Sequence, residues 1–388
     1  MLHSVKQKIN NKETREYLLI DTPKELKRIE ASLSSSPHLA VDLEADSMYH
    51  YTEKVCLVQL ATAEVEAVID ALKIKDLSPL KPIFADPAIQ KIFHGADYDV
   101  RSLYRDFQMS INNLFDTQLA CRFLGVRETG LESVLSARFG IQLNKKFQKK
   151  DWSKRPLPDE MIEYAITDVR YLIVLAEELQ RELKQKGRLS WVMEECSHLS
   201  RVRPSSDNDM PLYLRFKGAG RLDSRSLAVL EELLRWREKV AERRDRSPFK
   251  IIGNKTLMSI AVKKTADLDH LQKTGVLTQR QILMYGDAIK KAVCRALALP
   301  ENLLPQYPHR PFKPKEPELR KRLYALKAWR DKKAKTLKLE PALVCSKTLM
   351  INIAQKNPQH LSQLNEIEGL KNWQRIAFGS EILRVLNR

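Results

Sequence analysis

The first third of the chain alternates short apolar segments with polar turns. The apolar segments are rich in Val, Ile, Leu and Ala, which is typical of partly buried strands. These predicted strands are Tyr17–Asp21, His38–Ala45, Val55–Ala61, Ala67–Leu72 and Gln90–Gly95. Between the first two, Thr22-Pro23-Lys24-Glu25 combines a capping box with proline at the first helical position, and it predicts a helix that extends to Leu33.

From Tyr98 onward the spacing of apolar residues becomes helical and continues to Leu135. Another helix is predicted after Pro158, because acidic residues in a first turn complement the helix dipole. It carries Asp159 and Glu160 there and is expected to run to Gly187. Strands followed by helices predict an α/β domain over residues 1–203.

The second half has helical periodicity interrupted by two stretches that are typical of linkers. Residues 201–210 are polar and lack periodicity, and residues 301–316 are rich in proline. Linkers are therefore predicted at 204–214 and 301–316, and helical units at 215–300 and 317–388. These units repeat a pattern: Trp236-Arg237 followed by Lys255-Thr256-Leu257-Met258 recurs as Trp329-Arg330 followed by Lys347-Thr348-Leu349-Met350. Internal self-similarity of this kind predicts two copies of one fold.

Charge is distributed unevenly along the chain. Residues 1–200 carry 28 Lys and Arg against 30 Asp and Glu, whereas residues 201–388 carry 39 against 19. A cationic half of this kind favours a polyanionic partner, although a solvated basic surface is the alternative. The five cysteines are widely spaced, and no signal peptide or long apolar segment is evident, so we expect a soluble cytoplasmic protein without membrane association.

Three acidic patterns are the candidates for chemistry. Asp42 and Glu44 share one face of a predicted strand, because side chains alternate along a strand. Asp97 and Asp99 follow a strand and a small-residue turn, where either could serve only as a helix cap. Within the helix after Pro158, an i, i+4 spacing places two further groups on one face, Tyr164 and Asp168.

The order of these motifs resembles the tyrosine-bearing branch of the DEDD exonuclease superfamily. Flanking segments sharpen the resemblance to the ribonuclease D family; they are Val55–Leu60, Phe93–Ala96, Phe115–Thr117 and Asp151–Leu157. The family places its second-motif aspartate immediately before an aliphatic residue, which selects Asp99 over Asp97. The histidine branch would carry His where this chain has Glu163, so the resemblance makes Tyr164 the partner of Asp168.

The resemblance implies a ribonuclease H-like α/β exonuclease domain with a mixed sheet flanked by helices. It also implies two divalent ions, Mg²⁺ or Mn²⁺, which stabilise the entering and leaving oxygens of phosphodiester hydrolysis. Metal ligands would be Asp42, Glu44, Asp99 and Asp168, and Tyr164 would orient the attacking water. Its ordinary pKa of about 10 favours positioning over proton abstraction. Asp116 is expected to be structural.

Candidate RNA contacts lie around this site. His94 belongs to the second motif, while Lys149, Lys150 and Trp152 precede the third and offer cations and an aromatic surface to an RNA 3′ end. A solvated basic loop is the alternative for the two lysines.

The two helical copies resemble HRDC domains, which are small all-α bundles. Arg235, Arg243, Arg244, Lys332 and Lys333 would supply charge for RNA. No nucleotide cofactor is expected, because Gly253-Asn254-Lys255-Thr256 lacks the glycines of a phosphate loop.

The resemblance therefore implies a 3′→5′ exoribonuclease that releases nucleoside monophosphates, acts on tRNA precursors and matures their 3′ ends. We expect this enzyme to be a monomer. Two alternatives remain open at this point. One is a DNA 3′→5′ exonuclease, since the same metal site cleaves either backbone. The other is a noncatalytic RNA-binding protein with a decayed nuclease domain.

Overall fold

A computed structural model describes residues 16–144, 146–204, 210–308 and 317–387. The chain divides into two compact units. Among described residues, one unit contains those within 1–45, 55–204 and 313–388, and the other those within 46–54 and 205–312. The first helical copy therefore belongs to the second unit, whereas the second copy belongs to the same unit as the α/β domain.

The α/β domain is built on a mixed sheet whose strand order is β1-β4-β3-β2-β5-β6. The strands are β1 (Leu18–Ile20), β2 (His38–Ala45), β3 (Val55–Ala61), β4 (Glu66–Asp70), β5 (Gln90–Phe93) and β6 (Leu114–Asp116). Strand β2 pairs antiparallel with β3 and parallel with β5. The five predicted strands are confirmed. The sixth was not predicted, because it lies within the stretch from Tyr98 to Leu135 whose apolar spacing indicated helix.

Helices surround this sheet. They are α1 (Pro23–Ser34), α2 (Lys81–Ala85), α3 (Asp97–Phe107), α4 (Thr117–Leu124), α5 (Leu131–Phe139), α6 (Asp159–Arg170), α7 (Leu172–Gln185) and α8 (Leu189–Leu199). The prediction of one helix from Pro158 to Gly187 was wrong, because the helix is interrupted at Tyr171 and two helices form instead. Helix α6 packs across β2, β3 and β4, whereas α7 packs on β2, β5 and α4. A straight helix cannot follow both directions.

The second helical copy packs onto α8 within the same unit. Its helices are α14 (Pro317–Leu337), α15 (Pro341–Val344), α16 (Lys347–Lys356) and α17 (Asn372–Leu386). Trp373 stacks on Trp191 with ring centroids 4.7 Å apart. The Glu194 carboxylate accepts hydrogen bonds from the backbone N–H groups of Asn372 and Trp373, both at 2.8 Å. Glu194 thus satisfies N–H groups that the start of α17 would otherwise leave unpaired.

Arg188 makes hydrogen bonds to both the α/β domain and the second helical copy. Its guanidinium donates to the carbonyl of Phe123 at 2.8 Å and to that of Leu337 at 2.9 Å. Phe123 also contacts Trp373 edge-on, with centroids 5.5 Å apart. The second copy is therefore held by aromatic packing and by buried polar contacts, and its core is continuous with that of the α/β domain.

The other unit contains the first helical copy. Its helices are α9 (Ser224–Arg243), α10 (Pro248–Ile251), α11 (Asn254–Lys263), α12 (Leu268–Lys273) and α13 (Gln279–Leu297). Helices α9, α10 and α11 follow one another in the same order as α14, α15 and α16, and the corresponding helices have similar lengths. The repeat predicted from sequence is thus visible as two similar helical bundles. The leucine stripe of α9 is buried, as Leu230, Leu233 and Leu234 show.

The two predicted linkers lie only partly in the described chain. Residues 205–209 and 309–316 fall outside it. Leu212–Arg215 instead forms a 3₁₀ turn whose Tyr213 is buried in the core of the first copy. Within the described ranges, no helix combines the length and apolar character needed to span a bilayer.

Candidate active site

Two carboxylates project from the centre of the sheet. Asp42 and Glu44 lie on β2, which is paired on both sides, and Leu43 between them is directed to the opposite face. Both side chains line a cavity of about 470 Å³. A central strand holds its side chains rigidly, so this pair has a fixed geometry.

A tight turn positions the third carboxylate. Strand β5 ends at Phe93, and Gly95 follows with φ +84°, a left-handed conformation that favours glycine. The Asp116 carboxylate accepts hydrogen bonds from the N–H groups of Gly95 at 3.0 Å and Ala96 at 2.9 Å. Helix α3 therefore begins at a fixed place, and Asp99 in its first turn is only 7% exposed.

The structure distinguishes the two aspartates between which the sequence pattern alone could not choose. The Asp97 side chain is 60% exposed and pairs with Arg101 at 2.9 Å on the surface of α3. Asp99 instead lies close enough to Asp42 to raise the pKa of that carboxyl. Asp97 has the surroundings of a solvated helix residue, and Asp99 those of a member of the acidic cluster.

Helix α6 supplies the last two groups. Tyr164 and Asp168 are one turn apart, and their side chains are hydrogen-bonded. Trp152 stacks on the Tyr164 ring with centroids 6.0 Å apart, and Phe147 contacts it edge-on at 5.9 Å. The phenol is thus held between two aromatic side chains and points its hydroxyl toward the carboxylates.

These segments bring carboxylate oxygens of Asp42, Glu44 and Asp168 within 4.8 Å of one another. These three acids and the neighbouring Asp99 repel one another, and burial adds to the cost of ionising them. Burial, as the largest cause, raises the pKa of Asp99 to about 7 and that of Asp168 to about 7. The pKa values of Asp42 and Glu44 are raised well above their usual range by burial and by the neighbouring acids.

This donor set fits divalent cations. Oxygen ligands from several carboxylates are what Mg²⁺ and Mn²⁺ prefer, and a bound ion would offset the repulsion that raises the pKa values. Asp42, Glu44 and Asp168 have the mutual distances for one ion. Asp99 lies next to Asp42 and adds a fourth carboxylate to this donor set.

These raised pKa values predict a stability that depends on pH in the metal-free protein. Asp99 and Asp168 titrate near 7 when folded and at about 4 when unfolded, so the folded state binds their protons more tightly between those values. Their contribution to stability is therefore lost as pH rises from about 4 to about 7. Because metal ions replace these protons, Mn²⁺ should raise the melting temperature more at about pH 8 than at about pH 5. Calorimetry with and without chelator tests this, and an equal rise at both pH values would contradict it.

The predicted RNA contacts have different surroundings. His94 lines the cavity, but its Nε2 donates to the carbonyl of Thr129 at 2.8 Å and its Nδ1 lies 2.9 Å from the Thr117 hydroxyl. Burial lowers the pKa of this imidazole. Lys149 and Lys150 are exposed on the segment before α6. Trp152 differs from the prediction: its side chain is 1% exposed, so it supports Tyr164 and presents no face to a base.

One residue that holds this site in place, Arg155, was not predicted from the sequence. Arg155 forms a two-pronged ion pair with Asp70, at 2.6 and 2.8 Å, and donates to the carbonyl of Trp152 at 2.7 Å. It thereby fixes the segment that carries Trp152 against β4. An arginine in a polar loop gives no sign of a partner so distant in the chain. The predicted structural role of Asp116 agrees with its four backbone hydrogen bonds.

Comparisons with known proteins agree with this architecture. The family model described as 3′-5′ exonuclease matches residues 17–184, and the HRDC domain model matches residues 226–293 and 320–386. Exosome complex component 10 of Mus musculus is 32% identical over 63% of this chain, but the chain spans only 28% of that protein. Ribonuclease D of Granulibacter bethesdensis is 28% identical over 95% of this chain and 92% of its own.

A solved structure covers nearly the same extent. The crystal structure of Escherichia coli RNase D, an exoribonuclease involved in structured RNA processing, is 28% identical and covers 96% of this chain and 99% of its own, with a TM-score of 0.73. This similarity extends over both the exonuclease match and the HRDC matches of the chain. The chain thus combines a 3′-5′ exonuclease domain with HRDC domains, and it is similar to bacterial ribonuclease D over nearly its whole length.

Proposed function

We propose that this protein is a 3′→5′ exoribonuclease that removes nucleotides one at a time from RNA 3′ ends and releases nucleoside 5′-monophosphates. The observation that carries the proposal is the convergence of Asp42, Glu44 and Asp168 within 4.8 Å, beside Asp99 and Tyr164. Asp42, Glu44, Tyr164 and Asp168 line one cavity and Asp99 lies next to Asp42, and retention of all five groups argues against a decayed nuclease domain. The similarity to ribonuclease D proteins over nearly the whole chain supports RNA as the substrate.

In the proposed mechanism, Asp42, Glu44 and Asp168 would hold one divalent ion, and Asp42 and Asp99 would contribute to holding a second. When bound, two such ions stabilise the charge that develops on the entering and leaving oxygens. Asp42 and Glu44, fixed on a central strand, set where the scissile phosphate can lie. Mg²⁺ or Mn²⁺ suits these oxygen ligands.

Tyr164 orients the attacking water in this mechanism. Burial and the neighbouring carboxylates raise the pKa of its phenol, so the hydroxyl keeps its proton at neutral pH. A protonated phenol hydrogen-bonded to Asp168 can hold a water molecule in line with the phosphate, but it cannot serve as the base. Trp152 and Phe147 restrict the motion of the ring.

A basic surface on α14 is proposed to bind RNA away from the cavity. This helix carries eight Lys and Arg against two acidic residues. Tyr324 is 78% exposed on it, and Lys327 lies one turn farther along. Next to it, a groove of about 470 Å³ is lined by groups that include Trp329, Lys332 and Arg384. Exposed aromatic rings among cations are typical of surfaces that bind single strands.

Not all of the arginines and lysines predicted to bind RNA are equally available. Lys333 pairs with Glu381 at 2.6 Å, and Arg235 pairs with Glu231 at 2.8 Å. Lys327, Lys332 and Lys335 have no ion pair within the described residues. These three are the better candidates for phosphate contacts.

Replacing Lys327, Lys332 and Lys335 together by alanine should weaken RNA binding and reduce its dependence on salt. Each lost phosphate contact lowers the slope of log affinity against log salt by about 0.7 on a single strand, so we expect a decrease of about 2. Titrations of labelled RNA at several salt concentrations measure it. A control that removes the exposed Lys24, Lys75 and Lys184 has the same net charge; an equal effect in this control would refute a specific surface.

Within this proposal, the physiological substrates are tRNA precursors whose 3′ ends are matured in a bacterial cytoplasm by a monomeric enzyme. The test is digestion of a 3′-extended tRNA labelled at its 5′ end, with Mg²⁺ or Mn²⁺, beside a DNA strand of the same sequence. We expect a stepwise ladder on RNA that is weak on DNA and absent in Asp42→Ala. Equal shortening of DNA would indicate a DNA exonuclease, and binding without shortening would indicate a noncatalytic protein.

A further inference from the structure

Two fully buried polar side chains near the carboxylates have no hydrogen-bond partner among the described residues. They are Gln59, which is 0% exposed and unpaired at both Oε1 and Nε2, and Ser102, which is 1% exposed and unpaired at Oγ. Buried polar groups are nearly always paired, and each exception requires an explanation. An unpaired amide destabilises a fold, so its presence in a strand core indicates a role outside packing.

Gln59 stands directly beside the acidic cluster. It lies on β3 opposite Asp42 on β2 in the antiparallel ladder. Residues directly opposite each other point to the same face of a sheet, with Cβ atoms about 4.5–5.5 Å apart. The other residues of β3 are Val, Leu, Ala and Cys, so Gln59 is the one amide in an apolar strand, and it occurs next to a proposed metal ligand.

Ser102 is the corresponding unpaired group on helix α3, where it lies beside Asp99. It lies three residues after Asp99 on α3, and an i, i+3 spacing places two side chains on the same side of a helix. Helix α3 also contacts β3. The unpaired Gln59 therefore lies beside Asp42, and the unpaired Ser102 lies beside Asp99. These two carboxylates are the ones proposed to hold the second ion.

We infer that Gln59 is a positioning residue for the proposed metal site: its amide, unpaired among the described residues of the metal-free chain, would donate to the Asp42 carboxylate when an ion is bound and would orient that carboxylate for the ion. Ser102 acts in the same way toward Asp99. Ligand carboxylates in metal sites are commonly held by such hydrogen bonds, which fix their orientation. The inference rests on the proposed metal-dependent function, because an orienting donor is useful only to a carboxylate that binds an ion.

The test uses the full chain and Mn²⁺ alone, without RNA. Gln59→Met keeps the size of the side chain but removes both polar atoms. In chelator, its melting temperature should rise by about 2–4 °C, because a buried unpaired amide has been removed. Its Mn²⁺ affinity, measured by calorimetric titration, should fall about 10–100-fold. Ser102→Ala should change affinity in the same direction.

Opposite changes in stability and affinity separate a positioning role from a structural one. The matched control is Val68→Ala, which shortens the buried neighbour of Gln59 on β4; it should lower the melting temperature and leave Mn²⁺ affinity unchanged. Parental affinity in Gln59→Met, whatever its stability, would overturn the role of Gln59. Failure of the parent to bind Mn²⁺ more tightly than Asp42→Ala would instead refute the proposed metal site, and this role with it.

Discussion

Replacing Asp42 by asparagine should lower kcat by about 10³-fold or more. Asp42 is proposed to contact both ions, so its loss removes several kcal/mol of charge stabilisation from the transition state, and each 1.36 kcal/mol corresponds to a factor of ten. The substitution also removes a buried acid from a cluster of acids, so the metal-free protein should become more stable. Single-turnover digestion of RNA and thermal unfolding in chelator measure the two effects.

Asp97→Asn is the control for this substitution. Asp97 precedes Asp99 by two residues, but among the residues that the structure describes its exposed side chain is paired only with Arg101 on the surface. Such an ion pair is worth about 0–1 kcal/mol. We expect its kcat to stay within about twofold of the parent. A large loss in Asp97→Asn, together with a small loss in Asp42→Asn, would show that the cluster described above is not the catalytic site.

Replacing Tyr164 by phenylalanine should lower kcat by about 10²-fold while metal and RNA affinity remain. Phenylalanine keeps the ring between Trp152 and Phe147, so only the hydroxyl that orients water is lost. Without that hydrogen bond, the nucleophile samples more orientations before it attacks. Rapid-quench digestion gives kcat, and Mn²⁺ titration shows whether the metal site is intact.

Tyr104→Phe is a suitable control, because it removes a hydroxyl from α3 and keeps the ring that faces the Arg203 guanidinium at 4.2 Å. Its kcat should match that of the parent. Near-normal turnover in Tyr164→Phe would remove the phenol from the mechanism. Loss of Mn²⁺ binding in that variant would instead assign Tyr164 to the metal site.

The candidate site could be predicted well from local periodicity. Asp42 and Glu44 share a face because of the strand period, and Tyr164 and Asp168 share one because of the helix period. Each pair consists of residues close together in the sequence, so the local period is enough to predict that the two side chains share a face. The choice between Asp97 and Asp99 needed more, since burial depends on what packs against α3, and only family resemblance supplied it.

Features that depend on distant segments were not predictable in this way. The break at Tyr171 follows from the two directions in which α6 and α7 pack on the sheet. Trp152 was expected to face RNA because its neighbours are lysines, but Arg155 and Asp70 hold its segment inward. The packing of the second helical copy on α8 joins residues almost two hundred positions apart, for which local patterns carry no signal.

This packing changes how shortened versions of the chain should be interpreted. A chain that ends before α14 would lose the surface that covers Trp191, and it would leave the Glu194 carboxylate without the N–H groups it accepts from. Newly exposed aromatic surface promotes aggregation. Poor activity of such a fragment would therefore reflect a damaged nuclease domain, and the contribution of the second HRDC domain to RNA binding is better measured with surface substitutions in the intact chain.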